Sequence, residues 1–246
     1  MLDLRETRRI AANSELFANP YWFALRTVHS SIALGLESSS RPLALRYPAD
    51  VIPFAGIEAG DTASMQRLHS LLAPGEAIYV AGGCGPELPG LVVESELPGL
   101  QMQFLAAVPE AKEGGPEIVE LDAAHASEMV HLTNVAFPGF FRPRTYTLGR
   151  YFGVRIEGEL VAMAGERLAL PGWREISAVC THPAHTGRGY AGHLIRHLLR
   201  VHAHSGLQSF LHLAAANVRA RSLYERLGFT QTRELMFHHL RRTTLV

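Results

Sequence analysis

The chain has 246 residues, of which 47% are hydrophobic and 19% charged, with 23 basic against 23 acidic side chains. That length holds one large domain or two modest ones, and the apolar fraction supports a buried core and excludes general disorder. A formal net charge of zero argues against nucleic acid as an obligate partner. The charge is uneven: residues 1–114 carry 8 basic and 13 acidic groups, and residues 115–246 carry 15 and 10. A positive C-terminal half suits a polyanionic ligand, although with Lys112 as the only lysine, arginine is a compositional habit and any single one says little. Cys84 and Cys180 are too few for a disulfide framework and lack CxxC spacing. Residues 1–17 hold no apolar core of signal-peptide length, and no run approaches the roughly 18 apolar residues of a membrane span. The expectation is a soluble cytoplasmic protein with no membrane partner.

In chain order, Asn19-Pro20 marks a helix start, with Asn as N-cap and Pro at the first helical position. Tyr21, Leu25, Val28 and Ile32 make its apolar stripe, and Gly35 closes it. Residues 38–42 read as a loop, and 43–57 as extended segments broken by Pro48 and Pro53, near a sheet edge. Asp61-Thr62 caps a short helix to Leu72, stopped by Pro74-Gly75. Residues 77–82 read as a buried strand, and 91–104 as strand material around a Pro98-Gly99 turn. Gly82-Gly83-Cys84-Gly85 has no Lys, Ser or Thr after it and opens no helix, so a hairpin or loop fits better than a phosphate loop. Residues 108–116 have linker composition, which sets an expected division into domains 1–110 and 116–246. Beyond it come a strand at 118–121, a helix capped by Asp122 and running towards Asn134, and an irregular aromatic loop at 136–147. A hairpin of 151–156 with 160–169 follows, then a strand at 175–181, a helix, a strand around Phe210, a helix at 218–227, and two last strands ending near Leu240.

The stretch 176–205 organises the chain: apolar strand, Pro-bearing turn, glycine loop, amphipathic helix. Ala191, Leu194, Ile195, Leu198 and Leu199 share one helix face, and His193, Arg196, His197, Arg200 and His204 the other. Free backbone N–H groups and the positive helix end converge at such a junction, which makes an anion site with phosphate the usual guest. Gly187 and Gly189 would let a ligand approach the main chain. An ordinary βα turn explains the same glycines equally well. Gly187-x-Gly189-x-x-Gly192 also spells the dinucleotide fingerprint, but six residues separate strand from loop and the strand near Phe210 carries His212 rather than an acidic residue. That context test fails.

The residues resemble the GNAT superfamily of acyl-CoA N-acyltransferases over about the last half of the chain. The strand ends VCTHP, and Thr186-Gly187-Arg188-Gly189-Tyr190-Ala191 then opens a helix. Downstream follow FLHL and Asn217-x-x-Ala220-x-x-Leu223-Tyr224-Glu225-x-x-Gly228-Phe229. Two motifs in order at family spacing are more specific than either alone, although Thr186 stands where the family prefers Arg or Gln. The resemblance implies an α/β (α+β) fold with a mixed, mostly antiparallel central sheet flanked by helices. It implies acetyl-CoA as co-substrate, an acyl transfer to a primary amine, and no metal. The layout of the N-terminal half resembles the first, GNAT-like domain of two-domain proteins such as the glycine N-acyltransferase-like enzymes, which lacks the cofactor loop.

Carried over residue by residue, the amides of Val179, Cys180 and Thr181 would serve pantetheine and oxyanion. Those of Gly187, Arg188, Gly189, Tyr190 and Ala191 would meet the pyrophosphate, with Arg188 as a charge partner and Asn217 as both N-cap and cofactor contact. Glu175 stands where many members place a carboxylate base, and half-burial would raise its pKa towards neutrality; a solvated glutamate beside Pro171-Gly172-Trp173 is the plain alternative. Tyr224 matches the tyrosine that protonates the leaving thiolate, or else is a core aromatic with Ala220, Leu223 and Leu227. Of the thirteen histidines, His182 and His212 are the candidates for auxiliary bases near the cleft, each also explicable as structural. With no HExxH or Cys/His cluster, metal binding is not expected. Cys180 could act as a nucleophile only if activated. The loop that lines the family's acceptor pocket carries here Phe137, Phe140, Phe141, Arg142, Arg144 and Tyr146. This suggests a small amine that also bears a carboxylate, such as an amino acid, held by Arg142 or Arg144; aromatics covering the core account for the loop equally well. An acyl-CoA-binding regulatory module with little catalysis is the rival from another class, and a homodimer is left open.

Overall fold

The computed structural model describes residues 15–36, 42–110, 114–136 and 138–244. The chain divides into two compact units, residues 1–48, 53–98 and 235–246, and residues 49–52 and 99–234. The segment 108–116, with its linker composition, lies within the second unit.

In the first unit, helix α1 (Pro20–Arg26) and helix α2 (Thr62–Leu71) pack on strands β1 (Ala44–Arg46), β2 (Phe54–Ile57), β3 (Ala77–Ala81) and the later part of β10 (Phe229–Arg242). β1 pairs antiparallel with β2, β2 parallel with β3, and β3 antiparallel with β10. A core of Ala55, Ile57, Met65, Leu68, Ile78, Val80 and Leu240 fills this unit. Asp61 accepts from Ser64 N at 2.7 Å and caps α2 as expected. α1 departs from expectation. It stops at Arg26, Val28 is 44% exposed, and the Asn19 side chain donates to Ile57 O instead of capping the helix. Thr27 is the C-cap, and its hydroxyl turns back onto Phe23 O.

The second unit is a sheet in the order β10-β4-β9-β8-β7-β6-β5. Its other strands are β4 (Leu91–Phe104), β5 (Ile118–Leu121), β6 (Tyr151–Ile156), β7 (Glu159–Leu170), β8 (Trp173–Thr181) and β9 (Gln208–Ala214). Helix α4 (Tyr190–His204) and helix α5 (Val218–Arg226) bury Leu194, Ile195, Leu198, Leu199 and Tyr224 with Leu100, Met102, Phe152, Ile176 and Leu211. Helix α3 (Ala126–Ala136) lies in a separate cluster with Leu121, Phe141, Tyr151, Met163 and Cys180. Glu157 (φ 51) and Gly158 (φ 87) turn the β6–β7 hairpin. The sheet is mixed and mostly antiparallel, as the sequence resemblance implied, with β8–β9 its parallel pair.

Two expected breaks are absent. β4 runs unbroken through Pro98-Gly99, because its pairing with β9 begins at Gly99↔Ala214 and the missing N–H of Pro98 costs no bond of that ladder. The last two strands are one strand of 14 residues, since 229–242 contain no Gly or Pro to turn the chain. No helix of the described residues is long and apolar enough to cross a membrane.

Candidate active site

The site begins with a strand that parts from its neighbour. β8 pairs with β9 only at Trp173, Arg174 and Glu175, opposite Gln208, Ser209 and Phe210, although both strands continue. The backbone of Ile176 to Thr181 therefore has no β9 ladder on that edge. Within it the register with β7 shifts between Met163↔Cys180 and Gly165↔Ser177, so that Ala178 and Val179 oppose one residue. Ala178 takes φ 51, a left-handed conformation costing an L-residue about 1–2 kcal/mol. The bulge also resets side-chain alternation: Ile176 and Val179 pack on the α4 side, Ala178 and Cys180 on the α3 side. Val179, Cys180 and Thr181 thus stand on the parted segment where the sequence places the pantetheine-binding amides.

Beyond Thr181, Pro183–His185 form a 3₁₀ turn capped by His182, whose Nδ1 accepts from Ala184 N at 3.3 Å. Thr186 donates its hydroxyl to Pro183 O at 3.1 Å, so the residue that departs from the family pattern is spent on closing the turn. Gly187 (φ 80) and Gly189 (φ 81) are left-handed, and a Cβ on either would meet nothing within 4 Å. The space above the loop is open. Gly189 is the N-cap of α4 and no side chain caps it, so the first amides of the helix, from Tyr190 on, lack an intrahelical acceptor. An open glycine loop at an uncapped helix N-terminus is an arrangement that receives anions. Asn217 caps α5 by accepting from Ala220 N at 3.0 Å.

Glu175 differs most from expectation. It is fully buried, and its carboxylate receives four donors: Arg167 Nε at 2.9 Å, Arg167 Nη2 at 2.5 Å, Leu168 N at 3.2 Å and His212 Nδ1 at 2.7 Å. A second bulge makes this possible. The β7–β8 register shifts between Glu166↔Ile176 and Ala169↔Arg174, which sets both Arg167 and Leu168 against Glu175. The expected rise in pKa is therefore corrected. Burial alone pushes the carboxyl up, but Arg167 and His212 outweigh it and bring it down to about 2. Arg167 and Gln101, whose side-chain amide lies 3.0 Å from His212 Nε2, are members of this site that sequence reasoning missed.

Tyr224 is 8% exposed and packs in the core, and burial, helped by the charge of Glu175, pushes its phenol up to about 12. A phenol so held keeps its proton for donation. Cys180 is pushed up to about 12 by burial and stays a thiol, so it is not an activated nucleophile. Phe141 belongs to the core, edge-on to Tyr151 at 5.6 Å. Arg144 pairs with Asp50 at 3.1 Å, and its loop is tied down by Thr145 Oγ1 donating to Val51 O and Arg144 N donating to Asp50 O. Arg142 donates its backbone N–H to Thr145 Oγ1 and is half-buried. Phe137 lies outside the described residues. Among the described residues no group of three or more His, Cys, Asp or Glu could hold a metal.

Comparison with known proteins bears on the fold and the family. The family model of FR47-like proteins matches residues 151–238. A protein from Novosphingobium aromaticivorans, described as an acetyltransferase of the GNAT family, is 33% identical with a TM-score of 0.81, over 93% of this chain and 99% of its own. A GCN5-related N-acetyltransferase from Kribbella flavida shares the fold at 17% identity and a TM-score of 0.55, over 91% and 97%. A GCN5-related N-acetyltransferase-like protein from Streptococcus suis does so at 12% and 0.54, over 94% and 97%. No match was found among the curated proteins. The chain belongs to the GNAT family of acetyltransferases. It is an acyltransferase with the fold that supports acyl transfer from acetyl-CoA.

Proposed function

We propose that the protein transfers an acetyl group from acetyl-CoA directly to the primary amine of a small molecule in a ternary complex, with amino acids as the leading acceptor class. The observation that supports this best is the parted edge of β8 leading into an open glycine loop at an uncapped helix start. The amides of Val179, Cys180 and Thr181 receive the pantetheine arm and the oxyanion of the tetrahedral intermediate. Gly187, Arg188, Gly189, Tyr190 and Ala191 receive the pyrophosphate, with Asn217 beside them. Tyr224 returns a proton to the departing thiolate. Glu175 supplies a fixed negative charge near the amine, as electrostatic partner of the ammonium.

Tyr224→Phe is expected to lower kcat by about 100-fold while leaving KM for acetyl-CoA and the melting temperature nearly unchanged. Unchanged kcat would return Tyr224 to the core.

Arg142 is the better carboxylate ligand, because Arg144 already holds Asp50. Arg142→Ala should raise KM for an amino-acid acceptor by about 10–100-fold, and Arg144→Ala by less, the former being one charge-assisted hydrogen bond. No change in acceptor KM in the double variant would remove amino acids from the reading.

The rival, an acyl-CoA-binding module with little catalysis, is favoured by one observation: every acceptor position of Glu175 is already filled. Turnover of thioester in the presence of amines separates the two. Division into an N-terminal domain, 1–110, and a catalytic domain, 116–246, and a cytoplasmic location belong to the same reading and rest on the sequence.

A further inference from the structure

A polar chain crosses four adjacent strands beside the point where β8 and β9 part. Gln101 on β4 lies directly opposite His212 on β9, and Glu175 on β8 is paired with Phe210, two residues before His212. Leu100, Met102, Leu211 and Leu213 pack towards α4, so alternation turns Gln101 and His212 to the other face of the sheet, together with Glu175. All three side chains are buried: Gln101 and Glu175 are 0% exposed, and the His212 side chain 2%.

The chemistry of the chain fixes its protons. A carboxylate only accepts, so His212 must carry hydrogen on Nδ1, the atom 2.7 Å from Glu175 Oε1. His212 Nε2 faces the side-chain amide of Gln101 at 3.0 Å, so the ring is held at both nitrogens. Arg167 and Leu168 N–H hold the outer side of the carboxylate. The contact through His212 leads away from β7 towards β9 and β4.

We propose that His212 is a positioning residue for Glu175, aiming its carboxylate through Nδ1–H, and that Gln101 holds the ring in the orientation that makes this possible. This rests on the site role given to Glu175 above. The consequence is electrostatic: an amine that attacks a thioester passes through a cationic nitrogen, and a carboxylate held ionised is its complement. The other charged or titratable groups that bear on Glu175 are Arg167 on β7, Tyr224 on α5 and Tyr151 on β6.

The test titrates Glu175 directly, without needing the natural acceptor. In the full chain labelled with ¹³Cδ-glutamate, and with Glu175→Gln to assign the signal, Glu175 of the wild type should stay ionised to the lowest pH at which the fold persists. In His212→Phe, which removes the Nδ1–H donor, it should titrate at a higher pH, within the accessible range. His212→Asn, whose amide can replace Nδ1–H, should restore the wild-type behaviour. Gln101→Leu should move the Glu175 titration in the same direction as His212→Phe, by less. A purely structural histidine would lower the melting temperature in both His212 variants without moving the Glu175 titration, and that result overturns the proposal. Turnover by Glu175→Gln with acetyl-CoA and a panel of amino acids is read separately. If that variant is fully active, the site role of Glu175 fails whatever the titration shows.

Discussion

Glu175→Gln is expected to lower turnover by about 100-fold or more and to destabilise the fold at the same time. The two effects have one origin. The substitution keeps size and shape but removes the charge opposite Arg167, whose side chain is only 15% exposed. Breaking one side of a buried pair costs about 3–5 kcal/mol, because a buried charge loses its counter-charge. For a chain of this length that is a fall in melting temperature on the order of 10–15 °C. Stability and catalysis are separated by adding Arg167→Met: the double variant should recover much of the melting temperature and none of the activity. Recovery of activity along with stability would reduce Glu175 to a structural role. The pH dependence follows from the lowered carboxyl. Its folded value, about 2, lies below its ordinary value of 4.5, so the contribution to stability is complete above about pH 5 and is lost as pH falls through that interval. The gap in melting temperature between wild type and Glu175→Gln should therefore be constant near neutrality and narrow in acid.

Gly189→Val should abolish donor binding at a modest cost to the fold. A β-branched residue at φ 81 is strained by about 1–2 kcal/mol, or a few degrees in melting temperature. Apart from its own chain neighbours, nothing stands within 4 Å of a Cβ at this position, so the side chain starts into open space. On the proposed reading that space receives the donor's pyrophosphate, and a ligand there could no longer approach the main chain. The expected result is a protein that melts cooperatively but gains no stability from acetyl-CoA. Retained stabilisation would mean that the donor does not lie on this loop.

The sequence made the loop and its helix legible because both signals are local. Left-handed turns need Gly187 and Gly189, and Leu194, Ile195, Leu198 and Leu199 repeat at helical spacing; all four are buried. Glu175 was legible as a position but not as a chemical state. Plain hairpin counting from Leu170↔Trp173 places Leu168, not Arg167, against Glu175, and only the bulge adds the guanidinium. The bulge at Ala178 was likewise invisible, since an alanine at φ 51 leaves no mark on composition. Pro98-Gly99 is the converse case: the Pro stands just before the β9 ladder, where its missing N–H costs nothing, so the strand runs through it. Phe141 shows the limit of reading a loop by residue type, because an aromatic there can face a ligand or fill the core, and this one fills the core.

The central claim, that the loop between β8 and α4 receives acetyl-CoA, is tested most directly by thermal unfolding of the full chain with acetyl-CoA, free CoA or NAD. Ligand at about 100 times its Kd adds roughly 2.7 kcal/mol. For a chain of this size that is a rise on the order of 5–10 °C. Both CoA species should raise the midpoint and NAD should not. No rise with acetyl-CoA at saturating concentration, or a rise with NAD alone, would contradict the assignment of the loop.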